Sequence, residues 1–303
     1  MKEANKVIVI GGAGFLGSHL ADALSDNGYS VTVYDTRESS YLRPDQEMVL
    51  GNIQNLESLS EAVKGSRYVY HLAGIADIDE ASSKPRETVI QNIIGSTNVI
   101  EACMNTDVEK LVFASTVYVY SDKGSFYRVS KQAVELLLEN YNREYGLNYT
   151  TIRYGSVYGP RSQEWNGLKK FVVQAVKNKK IVYPGTGEER REYIHVVDAA
   201  ALSIKALDEK YNNQCLTLTG TQVMTSRQML TMLAEIMNED VKLEFDPSGS
   251  TYDLFHYQMT PYRYTPKPGQ KLVLDCFIDL GQGILEMIDE VNQLGGNGSS
   301  DYA

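Results

Sequence analysis

The run Val7-Ile8-Val9-Ile10-Gly11-Gly12-Ala13-Gly14-Phe15-Leu16-Gly17 constrains the fold of this chain more than any other segment. A β-branched strand empties into a glycine-rich turn, and a helical spacing follows at Phe15, Leu16, Leu20, Ala23 and Leu24, stopped by Gly28. A second strand over 30–34 ends on Asp35. Together these describe a whole βαβ unit, which requires a parallel sheet. Glycines at such a turn let backbone N–H groups approach a pyrophosphate, while the helix behind points its positive end at the same charge. The unit reads as a dinucleotide site. A carboxylate at Asp35 would accept hydrogen bonds from both adenosine ribose hydroxyls and repel a 2′-phosphate, favouring NAD over NADP, with Arg37 working against that preference. A tight structural turn with a solvated aspartate is the alternative.

The same alternation continues. Strands are predicted near 6–10, 30–34, 47–50, 67–71, 110–114 and 149–154, with helices near 15–27, 56–64, 86–105 and 127–145. This is the pattern of an α/β chain with a Rossmann-type, doubly wound parallel sheet, in which ligands bind at the carboxyl ends of the strands. Beyond Pro160 the pattern loosens. A helix is expected near 166–178, a strand at 192–196, a helix over 199–209 capped by Asp198, a helix over 226–238 and an extended stretch at 241–245. Residues 248–270 read as irregular, and a last helix at 283–294 precedes a glycine- and serine-rich tail. The expected division is a dinucleotide-binding domain over 1–165, to which 190–220 returns. A smaller C-terminal α/β substrate-binding domain takes 166–189 and 221–294, and 295–303 is a disordered tail.

A formal net charge of -10 argues against a nucleic-acid partner, because neutralising phosphates needs basic surface. No apolar run approaches transmembrane length and the start of the chain is polar, so no membrane partner and a cytoplasmic location are expected. Cys103, Cys215 and Cys276 are odd in number and far apart, which suits reduced thiols. His19, His71, His195 and His256 show no ligand spacing, so no metal site is expected.

Reactive chemistry concentrates at Tyr127-Arg128-Val129-Ser130-Lys131, preceded by Ser115-Thr116 at the end of a strand. Tyr127 and Lys131 are four apart and share a helix face. An ammonium beside a phenol, aided by an oxidised nicotinamide, lowers the phenol's pKa and makes it a general base, with Thr116 hydrogen-bonding the same substrate oxygen. In a chain with 21 tyrosines, a surface Tyr and Lys on an amphipathic helix is the competing reading.

The order of the glycine turn, His71-Leu72-Ala73-Gly74, Ser115-Thr116, Tyr127 with Lys131, the stretch Arg153 to Arg161 and the stretch Arg191 to Asp198 resembles the extended short-chain dehydrogenase/reductase family. Within it, the NAD-dependent sugar-nucleotide epimerases and dehydratases are most similar, UDP-glucose 4-epimerases among them, over roughly residues 6–220. The resemblance implies that Gly11, Gly14, Phe15, Leu16 and Gly17 hold a pyrophosphate, Asp35 the ribose, Asn52 and Ile53 the adenine edge, and Leu72, Ala73 and Gly74 the middle of the NAD. It places Ser115 and Tyr154 beside the cofactor as well. Tyr127 would be the base, with Lys131 on the nicotinamide ribose and Thr116 on the reacting hydroxyl. Arg191 would meet a substrate diphosphate, for which a guanidinium fork is suited, and Ser156, Asn166 and Tyr183 would lie near the sugar or base. Tyr183 could equally be packing, and His195 and Asp198 read better as an interior histidine and a helix cap than as catalysts.

The chain also departs from the family. Val117 and Tyr118 stand where dehydratases carry an Asp-Glu pair, which disfavours dehydration. Only ten residues separate Thr116 from Tyr127, a loop shorter than usual. Asn52 and Ser156 replace residues commonly Asp and Asn. The segment 248–280 lacks the arginine-bearing motif that normally grips the second phosphate side, with Arg263 as a candidate substitute, and the tyrosines from Tyr252 to Tyr264 could pack on a sugar, a base or a second subunit. The expected activity is 4-epimerisation of a nucleotide sugar through a 4-keto intermediate. A net C4 dehydrogenase or reductase would use the same residues, and a non-catalytic NAD-binding sensor is a third reading. Ile90, Ile93, Ile94, Val99 and Leu136, Leu137, Leu138 carry more apolar surface than one core-facing stripe needs, so a homodimer through helices near 86–105 and 127–145 is expected.

Overall fold

The computed structural model describes residues 5–237, 240–247, 256–263 and the four positions 284, 285, 287 and 288. Seven parallel strands make the main sheet: β1 (Lys6–Ile10), β2 (Ser30–Asp35), β3 (Gln46–Leu50), β4 (Tyr68–His71), β5 (Lys110–Thr116), β6 (Tyr149–Tyr154) and β10 (Gln214–Leu218). Their order across the sheet is β10-β6-β5-β4-β1-β2-β3. The chain order reverses between β1 and β4, so a crevice opens at the carboxyl ends of these two neighbours.

Alternation along β1 explains the layers. Val7 and Val9 point into one core with Leu20, Ala21 and Leu24 of α1 (Phe15–Asp26) and Ala199 and Ala200 of α8 (Val196–Lys205). Ile8 and Ile10 point into the other, with Leu59 of α2 (Leu56–Val63), Val99 and Ile100 of α5 (Gly95–Met104), and Val134 and Leu138 of α6 (Ser125–Tyr145). A strand covered on both faces reads as continuous Val and Ile rather than as an apolar–polar alternation.

The helix expected over 86–105 is not uniform. A short α4 (Pro85–Thr88) passes into a π-helical stretch, Val89–Ile94, before α5. The wider turn carries Asn92, which is buried among apolar neighbours. Its Oδ1 accepts the Ile75 N–H at 2.7 Å, and its Nδ2 donates to the Ile75 carbonyl at 2.9 Å and to Ser130 Oγ at 3.0 Å. A π-turn often marks a functional position. Here it ties the loop after β4, with α3 (Ile78–Ser83) beyond it, to α6.

The helix following residue 195 also begins earlier than expected. His195, not Asp198, is its N-cap, with Nδ1 accepting the Val197 N–H at 3.4 Å, and Asp198 sits inside the first turn. At the other end, the ammonium of Lys110, only 3 % exposed, donates to the carbonyls of Ala206, Leu207 and Asp208 at 3.1, 3.0 and 2.9 Å. One buried cation thus satisfies three carbonyls at a helix C-terminus.

Short strands build two further sheets; those near 192–196 and 241–245 are expected from the sequence and the other three are not. β9 (Arg190–His195) lies between β7 (Ser156–Tyr158), to which it is parallel, and β11 (Val223–Thr225), to which it is antiparallel. β8 (Lys180–Tyr183) pairs in parallel with β12 (Lys242–Phe245). Against β8 and β12 pack α7 (Gly167–Asn178) and α9 (Ser226–Met237), around Ala175, Ile181, Tyr183, Met229 and Leu230. All of these elements belong to one compact unit, Met1–Thr265. A second unit is formed by Pro266–Ala303, in which Ile284, Leu285, Met287 and Ile288 are helical and exposed. The rest of the helix expected at 283–294, the tail 295–303, Cys276 and most of 248–280 lie outside the described residues. Among the described residues no helix is long and apolar enough to cross a membrane, and no group of three His, Cys, Asp or Glu side chains is gathered for a metal.

Candidate active site

A cavity of about 1250 Å³ runs from the glycine turn across the carboxyl ends of the strands to the smaller layer. Gly11 has φ +85°, and a Cβ there would lie 2.5 Å from the Ala73 amide nitrogen, so the turn can press against the β4 loop only as glycine. A Cβ on Gly17 would meet the Gly11 carbonyl at 2.2 Å, so the first turn of α1 also needs a glycine to close on the loop. Gly14 differs: a Cβ there would have one protein neighbour, the Gly11 carbonyl at 3.2 Å, and its remaining open side faces the cavity. Asp35, at the end of β2, accepts the Ala13 N–H with Oδ2 at 3.0 Å. A cradle of backbone at a helix N-terminus with a carboxylate on the neighbouring strand fits an NAD pyrophosphate and ribose.

Phe15, Leu16, Ile53, Leu72, Ala73 and Gly74 line the same cavity. Asn52 does not. Its Oδ1 accepts the Gln54 N–H at 3.0 Å, which makes it a turn residue before α2, while the neighbouring Gly51 and Ile53 reach the cavity wall. The loop carrying Leu72 to Gly74 is held from behind by Asn92. Sequence reasoning missed Asn92, although a lone asparagine between Ile90 and Ile93 is the signal that could have found it.

Thr116, Tyr127 and Lys131 line the same cavity. The Thr116 hydroxyl accepts the Tyr118 N–H at 3.3 Å and acts on the Tyr127 phenol to lower its pKa. Lys131 is 6 % exposed, and its ammonium donates to the Ala114 carbonyl at 2.8 Å, lying 4.8 Å from the Phe113 ring centre and 5.8 Å from that of Tyr127. Burial pushes the Tyr127 phenol up to about 12, although the Thr116 hydrogen bond opposes the rise. Burial pulls Lys131 down to about 8, and Glu135 opposes that fall. Burial dominates the phenol, and the Lys131 ammonium is engaged by the Ala114 carbonyl.

Other expected residues divide between the cavity and its supports. The Ser115 hydroxyl donates to Glu135 Oε1 at 2.5 Å. Tyr154 lies in the wall with its hydroxyl bonded to Ser203 Oγ at 2.6 Å. Ser156 lines the substrate end, and so does Asn166, which caps α7 by accepting the Lys169 N–H at 3.3 Å and donates to the Val157 carbonyl at 3.1 Å. Tyr183 is fully buried, with its hydroxyl on Ser226 Oγ at 2.8 Å and its ring against Phe171 and Phe245, so it is chiefly a core residue. Arg191 is 5 % exposed at the far wall, its guanidinium 4.4 Å from the Tyr257 ring centre. Tyr257 also contacts Tyr118, with ring centres 4.6 Å apart, and the Tyr118 hydroxyl meets His256 Nδ1 at 2.8 Å. Sequence reasoning left Tyr118 and His256 without a role, since it could not bring 118 and 256 together.

Comparison with known proteins agrees with this geometry. Residues 7–216 match the NAD dependent epimerase/dehydratase family. A putative UDP-glucose 4-epimerase of Methanocaldococcus jannaschii is 30% identical over 226 residues, 67% of this chain and 74% of that protein. A UDP-N-acetyl-alpha-D-glucosaminuronate decarboxylase of Bacillus cytotoxicus is 27% identical over 276 residues, 82% of this chain and 85% of that protein. Among solved structures, the Thermus thermophilus UDP-glucose 4-epimerase complex with NAD superimposes with a TM-score of 0.74 at 26% identity, covering 86% of this chain and 90% of that one. With the glycine cradle, Asp35 and the Thr116–Tyr127–Lys131 cluster on one cavity, this chain belongs to the NAD dependent epimerase/dehydratase family, as an NAD-dependent enzyme of the extended short-chain dehydrogenase/reductase type.

Proposed function

We propose that this enzyme epimerises a nucleotide-activated sugar at C4 through a 4-keto intermediate. The observation that carries the reading is the shared cavity: Tyr127, Thr116 and Lys131 lie between the glycine turn and Arg191, with room for a cofactor and a nucleotide sugar together. Arg191 supplies a guanidinium for the diphosphate, Ser156 and Asn166 face the sugar or base, and Thr116 orients the reacting hydroxyl beside Tyr127. Bound NAD supplies positive charge beside the phenol and takes and returns the hydrogen at C4. Tyr127 then accepts the proton of the 4-hydroxyl, and Thr116 keeps the oxygen in place while the sugar turns within the cavity. Reduction on the opposite face returns that proton from Tyr127 to O4. The substitution of Val117 and Tyr118 for an acid–base pair supports epimerisation over water loss.

The test incubates the purified protein with UDP-, GDP- and dTDP-sugars, following epimer formation and the absorbance of reduced nicotinamide. Epimer without net NADH is the expected result; stoichiometric NADH release would assign net C4 oxidation instead. Tyr127→Phe should lower turnover by at least about a thousandfold while NAD binding stays within about threefold, as expected when a reacting proton carrier is lost but the pocket is kept. Unchanged turnover would remove Tyr127 from the mechanism. Homodimerisation through α6 and the π-helical segment is supported by exposed apolar side chains there, Ile94 at 52%, Phe126 at 42%, Val129 at 44% and Leu136 at 59%.

A further inference from the structure

We propose that Glu135 is a positioning residue for the reaction centre: clamped by Arg153 and Ser115, it keeps Lys131 cationic and fixes the end of β5 that carries Thr116. This rests on the assignment of Tyr127 and Lys131 made above, and it gives a task to a buried ion pair that the proposed mechanism leaves unused.

Glu135 follows Lys131 by one turn of α6 on the same face, and both are nearly inaccessible, 7 % and 6 % exposed. Its carboxylate is saturated on the side away from the cavity. Oε1 accepts Ser115 Oγ at 2.5 Å and Arg153 Nε at 3.0 Å, and Oε2 accepts Arg153 Nη2 at 2.6 Å. Arg153 is anchored in turn by Nη1 on the Tyr120 hydroxyl at 2.6 Å, with its guanidinium 4.7 Å from the centre of that ring. Ser115 and Arg153 are register partners across β5 and β6, so the clamp spans the ladder between these strands.

Three consecutive residues of β5 explain what the clamp does. The Ala114 carbonyl holds the Lys131 ammonium, Ser115 is tied to Glu135, and Thr116 meets the Tyr127 phenol. Fixing the middle residue fixes the two that face the chemistry. The charges around Lys131 point the same way. Tyr127 and Glu135 approach it from α6, His71 from β4, and Arg153 lies across the carboxylate on β6. Burial drives His71 to about 3, so it is neutral at working pH. Glu135 is the carboxylate that opposes the desolvation of Lys131. Replacing it by a neutral group would take from Lys131 the carboxylate that favours its charged form.

The experiment compares wild type with Glu135→Gln and with the double variant Glu135→Gln/Arg153→Gln. Lysines carry 13C at Cε, and the Lys131 signal is assigned by its loss in Lys131→Arg. In Glu135→Gln the Lys131 titration should move to lower pH by about one unit, a tenfold change in its acid constant. The double variant, which leaves no buried guanidinium without its carboxylate, should show the same shift and controls for a single variant that folds poorly. On whichever UDP-, GDP- or dTDP-sugar is turned over, Glu135→Gln should lose kcat more strongly at pH 8.5 than at pH 6, with little change in KM. An unmoved Lys131 titration with a uniform drop in kcat at all pH values would overturn the proposal and leave Glu135 a structural ion pair. Absence of turnover in wild type would sink the functional assignment instead, while the titration still judges Glu135.

Discussion

At the scale of single residues, chemistry and strain are separable at two glycines of nearly equal φ. Gly11→Ala would place a methyl 2.5 Å from the Ala73 nitrogen at φ +85°. It should cost about 2–4 kcal/mol of stability and weaken NAD binding at least about tenfold, because clash adds to left-handed strain. Gly28 has nearly the same φ, +80°, but a Cβ there would meet nothing within 4 Å, so Gly28→Ala should cost only about 1–2 kcal/mol and leave NAD affinity unchanged. Thermal melting with NAD titration distinguishes the two, and equal effects on binding would show that φ alone, not the approach to Ala73, governs the turn. Residues named by local pattern proved easiest to place: Gly11, Gly14, Asp35, Thr116, Tyr127 and Lys131 reach one cavity because each sits at a strand end or helix start that the spacing marks. Asn52 does not line that cavity, and its side chain is engaged by the Gln54 amide.

Among whole elements, α8 shows how a distant strand can finish a helix. Lys110, on β5, fills three carbonyls at the end of that helix. Lys110→Met keeps the stem's packing but leaves those acceptors without the ammonium, and should lower unfolding stability by about 2–4 kcal/mol in urea titration. A loss below about 1 kcal/mol would mean that water takes over the cap. Nothing in sequence links 110 with 206, so this contact was invisible, as were the short strands β7, β8 and β11, whose partners come from far along the chain. Of the main sheet, β1 was the most legible, because burial on both faces writes Val7 to Ile10 as an unbroken apolar run. The π-helical stretch was hidden for the opposite reason: its apolar spacing passes for an ordinary helix, and only the demands of Asn92 reveal the wider turn.

For the whole molecule, buried histidines set an acid limit. His71, inside the sheet layer with Nε2 on Ser96 Oγ at 2.7 Å, ionises at about 3 in the folded chain against an ordinary 6.5. Its cause is burial, with repulsion from Lys131 adding to it. The unfolded chain therefore takes up the proton first, and folding free energy is fully present above pH 6.5 and declines as pH falls toward 3. By pH 4.5 the loss from His71 should be about 2–3 kcal/mol. His256, lowered to about 4 by burial and then by Arg191, adds a loss of the same sign. Urea midpoints measured from pH 7 to 4.5 should drop in wild type and drop less in His71→Asn; parallel slopes would show that other groups govern acid unfolding.

The path of the chain through β6 and β10 has a consequence for how such an enzyme can change. The polypeptide leaves the large sheet after Tyr154, builds most of the substrate wall, and re-enters beside the strand it left, Gln214 aligned with Thr150. Severing it in between would strip a flanking strand from the host and expose its rim, so the nucleotide-holding half is not a detachable module. Yet an excursion anchored at two adjacent points can be lengthened or rebuilt without disturbing either anchor. New pocket walls can thus be tried against an unaltered dinucleotide cradle.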